Sequence, residues 1–424
     1  MEQRRRTASK FFPVYQPALN LDFRTGFLPP EITFSRASTA TFVGSNGLIQ
    51  TAAANTPRFN YNPALSAIPR LLVEAEARTN LTLRSAEFDN ASWIKTAATI
   101  APNGSLAPDG TVAMDKLVED TANSTHYTHQ ARAGSNETTT SSVYAKAGER
   151  TRFKLEMSNF ASASCGAIFD VSTGTVVSVD APNADYTAPS ATIVNAGNGI
   201  YRCTLTVTKA AVNATNNATI LLVSGTSISY LGDGASGLFL WGAQLEIASF
   251  VSSYIPTTSA AVTRAADIAT VTGGNFGKWF NPWTGTFAVK GNGAVPASGL
   301  ATIFEAGDGT YNNRSIGYIS TTPTLAFGVT VGGVQQANIP AAAYTANASF
   351  KLAASTALNQ IQVSANGTAV QQDASSLIPV VNALYLGRQG GGGGGFSGEL
   401  EWLRYWQQDA DPKMVQYLTS SIYD

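Results

Sequence analysis

From about residue 81 onward an apolar/polar alternation of period two recurs in short runs. VAMDKLVED, SSVYAKAG, RTRFKLEMSN, GAIFDVSTGTVVSV, ATIVNAGNGIYRCTLTVT, ATILLVSG and GLFLWGAQLEI follow one another, with turns such as Ser172-Thr173-Gly174 and Gly197-Asn198-Gly199 between them. Such a run presents one face to a core and the other to solvent only when it is extended. Short strands at this spacing predict a sandwich or jelly roll over 81–257 rather than βαβ units. In the last run Phe239, Trp241, Ala243, Leu245 and Ile247 share a face, which predicts Trp241 in the inter-sheet core. That strand gives way at once to Ser-Tyr-Ile-Pro-Thr-Thr, read as the exit from the first sandwich.

A linker at 258–272 leads to a second β pattern over 273–424, including GTFAVKGNG, ATIFEAGD, LAFGVTVGG and FSGELEWLRYW. The chain then changes period. Asp411 is a good N-cap, Pro412 suits the first helical position, and Met414, Leu418 and Ile422 recur at helical spacing. Residues 1–80 are irregular, with an arginine arm (Arg4, Arg5, Arg6), Pro29-Pro30 and one alternating stretch. Such a segment is expected to wrap around its own neighbours or a partner. The fold class is therefore all-β: two successive sandwiches after an irregular N-terminal segment, closed by one short helix. One echo links distant parts, Ser35-Arg36-Ala37 with Thr263-Arg264-Ala265.

Composition narrows the function. Lys plus Arg (27) almost cancels Asp plus Glu (28), so no bulk charge points to nucleic acid or membrane lipid. Charged residues make up 13%, against roughly 25% in an average soluble protein. With no apolar run of about 18 residues, no membrane insertion is expected. The basic start lacks an apolar stretch behind it, so no secretory signal and a reducing, cytosolic folding compartment are expected. Cys165 and Cys203 lie in strand-like sequence and read as buried free thiols.

Catalytic constellations are hard to find. His126 and His129, the two histidines, would point to opposite faces of a strand and could not share a metal. GGNFGKWF at 273–280 lacks the spacing of a phosphate loop. Glu399 and Glu401 share a face at i, i+2. They are either the solvated outer face of a closing strand or, as the sharpest enzymatic reading, a glycosidase pair. No enzyme activity is expected, and no metal or other cofactor. For binding, Trp279, Phe280 and Trp283 form a dense aromatic group, either a sugar platform or a hydrophobic plug. Asp308, Asn312 and Asn313 in EAGDGTYNNRS could offer oxygen ligands to calcium or hydrogen bonds to a glycan. Gly390–Gly395 is either a flexible tip or a slack connection. Arg4–Arg6 could dock on an acidic surface.

LDFRTGFLPPEITFSRASTATFVGSNGLIQTAAANTPRFNYNP, LLVEAEARTNLTLRSAEFDNASWIKT and LFLWGAQLEIASFVSSYIPTTSAAVTRAAD together resemble a layout common in tailed-bacteriophage structural proteins. In that layout a virion-proximal segment, here 1–80, precedes a carbohydrate-binding-module-like jelly roll, here 81–257. A concanavalin A/laminin G-like sandwich follows, here 273–424. The resemblance implies a non-enzymatic virion component assembled in the host cytoplasm, often a homotrimer. Its partners would be other virion proteins of tail or capsid and a host-surface polysaccharide. A tail fibre or receptor-binding protein is the reading taken. The alternatives are a capsid decoration or head fibre and a polysaccharide depolymerase.

Overall fold

Alternation gives each strand two faces, and pairing decides which faces meet. The computed structural model describes residues 16–62, 66–134, 136–160, 163–210 and 215–424 and sorts their strands mainly into two sandwiches. The first is made of contiguous chain. One sheet runs, in spatial order, Tyr186–Gly197, Ile200–Lys209, Thr138–Lys146, Gly237–Glu246, Val112–Glu119 and Ala98–Leu106. The other runs Thr175–Val179, Ser164–Asp170, Arg152–Ser158, Asn217–Val223, Tyr127–Gln130 and Ile94–Thr96. Leu117, Val143, Leu205 and Leu240 of one sheet join Phe153, Leu155, Phe169 and Leu222 of the other in a single apolar core. Both cysteines are free and buried in it.

The second sandwich is discontinuous. Its eight-stranded sheet runs Gln371–Asp373, Gln360–Ala365, Phe350–Ala357, Thr284–Gly293, Ser397–Trp406, Ser66–Glu74 and Arg58–Asn62, and Leu19–Asp22 also pairs with Ser397–Trp406. Its seven-stranded sheet runs Thr33–Ser35, Ile268–Thr272, Ala383–Leu386, Leu300–Gly307, Arg314–Ser320, Thr324–Val331 and Val334–Ala343. Strands from the first 80 residues thus enter both sheets, where the sequence suggested a segment of its own. The reason is burial. Leu19, Leu21, Phe23, Ile32, Leu71 and Val73 find their apolar surroundings only in the core they share with Phe287, Phe304, Leu352 and Leu403. The contiguous sandwich is therefore an insertion within the discontinuous one. Around its entry and exit, Arg78–Asn80 and Val262–Arg264 pair as a short antiparallel ribbon.

The closing helix is Pro412–Thr419. Asp411 caps it by accepting a hydrogen bond from the Met414 amide (2.8 Å). Val415 and Leu418 cover Ala288, Ala353, Trp402 and Trp406 on the outer face of the eight-stranded sheet.

Trp241 departs from the sequence expectation. Gly242 takes φ +63, and the pairing with Thr138–Lys146 slips by one residue at this point. The bulge reverses the alternation, so Leu238, Leu240, Ala243 and Leu245 face the inter-sheet core. Trp241 lies on the other face, against Tyr144 and Tyr254 at 5.5 and 4.6 Å between ring centroids.

Candidate functional site: a groove over a buried ion cluster

The stretch that follows Trp241 is no free linker. It folds back over the outer face of its own sheet, where Ala248 O accepts from Thr140 Oγ1 (2.8 Å) and Ser252 O from Arg202 Nη1 (2.8 Å). Tyr254 covers Trp241, and its hydroxyl meets Ser85 Oγ at 2.7 Å. Asn80 straps both chain crossings. Its amide donates to Ala243 O and Ile255 O, and its carbonyl accepts from the amides of Thr82 and Leu245.

Beneath this strap lie three arginines and two carboxylates, all buried: Arg36, Arg58, Arg264, Glu74 and Asp267. Asp267 bridges Arg36 (3.1 Å) and Arg58 (2.6 Å), and Glu74 bridges Arg58 (2.7 Å) and Arg264 (3.2 Å). Ser253, from the contiguous sandwich's exit, donates to Glu74 through both its amide and its hydroxyl (2.7 Å each). Further guanidinium donors reach carbonyls of Ser38, Thr41, Ala53, Ala265 and Glu76, while Arg58 Nε is buried without a hydrogen-bond partner. Burial alone would raise the Glu74 carboxyl, but Arg264 and Arg58 outweigh it and hold it well below the ordinary carboxylate range. The two echoed arginines, Arg36 and Arg264, therefore converge on one cluster.

Above the cluster the two sandwiches diverge to leave a groove, described by two adjoining cavities of about 450 and 510 Å³. Thr192, Thr204, Arg202 and Tyr144 form the wall from the contiguous sandwich. Register places them together: Thr192 opposes Thr204, and Tyr144 opposes Arg202. Asn60, Asn292, Asn347 and Glu399 form the facing wall, and Glu74 and Ser253 belong to the floor. The lining is thus mostly hydroxyls, amides and a tyrosine ring. A third cavity of about 740 Å³ lies beyond Ser249 and Phe250, which border both spaces.

The residues singled out from sequence fall elsewhere. Trp279 is enclosed by Phe276, Phe280 and Tyr405, so its ring is a core element closed to ligands. Trp283, 78% exposed, stands alone at the surface four residues later. Asp308 spends its oxygens on the Thr310 amide and hydroxyl and on Asn313 Nδ2 (2.7 to 2.9 Å). Burial would raise its carboxyl, but these bonds hold it below the usual value. Asn313 Oδ1 accepts from Gly332, and the Asn312 carbonyl accepts from Gly333, so the loop is internally braced. Among the described residues no group of three His, Cys, Asp or Glu has a metal-binding arrangement. His126 lies between Ala97 O and Tyr230 O, whereas His129 packs against Phe160. Arg4, Arg5 and Arg6 lie outside the described residues.

Glu399 and Glu401 are neither solvated nor free. Arg70 lies 3.8 Å from Glu399 and 3.0 Å from Glu401, and Lys290 lies 2.8 Å from Glu401. The amides of Asn60 and Asn292 also donate to Glu399. The groove itself was missed from sequence because its walls come from stretches of chain that are far apart in sequence. The arginine echo was the one signal pointing toward it.

No protein-family profile and no curated protein matches the chain. Solved structures do. The CBM40 module of the Ruminococcus gnavus IT-sialidase, solved with α2,6-sialyllactose, is 16% identical over 33% of this chain and 84% of its own, with a TM-score of 0.29. A heptameric SAP-like pentraxin from Limulus polyphemus is 16% identical over 33% of this chain and 75% of its own, with a TM-score of 0.28. Domains LG4-5 of the mouse laminin α1 chain are 11% identical over 78% of this chain and 92% of theirs, with a TM-score of 0.23.

Proposed function

We propose that this chain is a non-catalytic adhesion protein of a tailed-phage particle, and that the groove between its sandwiches holds a saccharide of the host surface. The observation that carries the reading is the groove's lining. Thr192, Thr204 and Asn347 offer uncharged donors and acceptors from both sides, with Tyr144 between them. A sugar ring presents hydroxyls at its rim and C–H groups on its faces, which suits such a surface. The buried cluster supports the reading by fixing both walls before any ligand arrives, which reduces the ordering a ligand must impose. The absence of catalysis in this proposal rests on Glu399 and Glu401, whose carboxylates are held by Arg70, Lys290 and two amides.

The particle assignment rests on the resemblance. Its most specific parts, Arg78–Leu81 and the run from Gln244 to Asp267, contain Asn80, Ser253, Arg264 and Asp267, and Arg36, Arg58 and Glu74 lie in the other stretches that carry it. A homotrimer attached through the N-terminal arm belongs to the same proposal. Fluorescently labelled full-length protein should bind host cells saturably and lose that binding on cells stripped of surface polysaccharide. The substitution Thr192→Trp, at an exposed position in the groove wall, should abolish it too. Binding that survives both treatments would overturn the groove as the site. Absent binding by a protein that still enters particles would favour a capsid-decorating role.

A further inference from the structure

Building on the glycan reading of the groove, we infer that the saccharide it takes carries a carboxylate, and that Arg202 meets it. The other charged groups of the groove are matched. Glu399 has Arg70 and two amide donors, and Glu74 lies between Arg58 and Arg264. Arg202 differs. Its Nη1 donates to Ser252 O (2.8 Å) and its Nη2 to Ser142 Oγ (3.2 Å), both neutral acceptors. Among the described residues it forms no ion pair with a carboxylate, whereas Arg36, Arg58, Arg70 and Arg264 each do. The guanidinium stands 5.3 Å from the centre of the Tyr144 ring, which fixes its plane.

The floor does not cancel this charge. The three buried guanidiniums are matched by Glu74, Asp267 and the buried Glu246, which the Ser252 amide and hydroxyl hold. Charge held in low-dielectric walls focuses potential into a cleft more strongly than the same charge in water. An arginine fork without an ionic partner, above a floor of matched charges, matches a planar carboxylate better than a hydroxyl. A uronic acid or another acidic sugar has that group on an otherwise hydroxylated ring, which the threonines and Asn347 then accommodate.

The test uses the full chain in calorimetric titrations. The probes are oligogalacturonate and oligoglucuronate, each compared with the same oligomer after its carboxylates are reduced to primary alcohols. At least one acidic oligomer should bind roughly 10-fold or more tighter than its reduced form, the size of one charge-assisted hydrogen bond. That preference should weaken as salt rises. Arg202→Gln should erase the preference. Should loss of the Ser252 contact unfold that variant, Thr192→Glu decides, because Thr192 is exposed and neighbours Arg202 on the same face. It should weaken the acidic oligomer more than the reduced one. Equal binding of acidic and reduced forms would overturn the inference and leave the glycan reading standing. Failure of both forms to bind, with cell binding unaffected by Thr192→Trp, would overturn both.

Discussion

The two sandwiches solve the same packing problem with opposite topologies. The contiguous one closes its core with strands from a single stretch, Ile94–Thr96 to Gly237–Glu246. The discontinuous one brings Leu19–Asp22 and Ser66–Glu74 to Ser397–Trp406, more than three hundred residues away. A contiguous core can form and break by itself. A discontinuous core depends on its chain ends meeting, and here a buried ion cluster sits where they meet. The largest test of this contrast is truncation. Residues 81–257 alone should fold with a cooperative transition, whereas 262–424 alone should not. Without the N-terminal strands, Leu400, Leu403 and Tyr405 lose the cover of Leu19, Leu21 and Leu71. Circular dichroism with thermal melting reads both, and a folded 262–424 fragment would break the comparison.

Next in size is Asp267→Asn. It removes the carboxylate shared by Arg36 and Arg58, both fully buried, and leaves two guanidiniums undercompensated. Breaking a buried pair in this way costs about 3–5 kcal/mol. In guanidinium unfolding that loss should fall on the discontinuous sandwich's transition and leave the contiguous one in place. A uniform shift of both transitions would mean that the two sandwiches unfold as one unit.

These two tests also mark what the sequence makes legible. Alternation at period two identified the strands, and Asp411, Pro412 and the spacing of Met414 and Leu418 identified the helix, because those signals are local. Pairing is not local. The short apolar run Leu71–Val73 serves any sheet with a free edge, so nothing in it says that Leu71 meets Leu400. The Trp241 face was misread for a related reason, since a one-residue bulge at Gly242 inverts every position before it. The groove was hidden because its walls, Thr192 and Asn292, belong to different sandwiches. Arg36 and Arg264 left a trace as a repeated Arg-Ala. A repeated dipeptide shows similarity, however, and shows no convergence in space.

Acid provides a third, smaller test. Glu74's folded-state pKa is depressed by Arg264 and Arg58 against the opposing effect of burial. A depressed carboxylate contributes stability above its unfolded value, near 4.3, and that contribution is lost as pH falls toward the folded value. The discontinuous sandwich should therefore weaken as pH drops below about 4.5, and Glu74→Gln should flatten that slope while lowering stability at pH 7. Glu305 works the other way. Burial raises its carboxyl despite the Gly390 amide and Arg314, so its protonated form favours the fold and that contribution fades as pH rises. Glu305→Gln keeps an oxygen for Gly390 and should raise the same sandwich's melting temperature at pH 7. A fall there would show that the Arg314 pairing, 3.6 Å long, outweighs the burial of the charge.

The smallest effect concerns Gly390–Gly395, where composition suggested a flexible tip or a slack connection and the contacts describe a turn. Gly390 donates to Glu305 (2.8 Å), Gly392 to Gln389 O (3.1 Å), and Gly394 O accepts from Thr302 (2.8 Å). The Tyr311 hydroxyl donates to Gly392 O, which ties the run to the Asp308 loop. Gly392, Gly393 and Gly394 have φ of +97, +73 and +60, which side chains disfavour. At Gly392 an added Cβ would meet no neighbouring atom, so Gly392→Ala isolates the backbone strain. If the run is a fixed turn, the variant loses about 1 kcal/mol from the discontinuous sandwich alone, through the left-handed penalty. Gly199→Ala, at φ +72 in an equally open hairpin of the contiguous sandwich, should lose a similar amount from the other transition. A tether free to adopt other conformations would absorb the methyl without loss, so a neutral Gly392→Ala beside a destabilising Gly199→Ala would restore the slack reading.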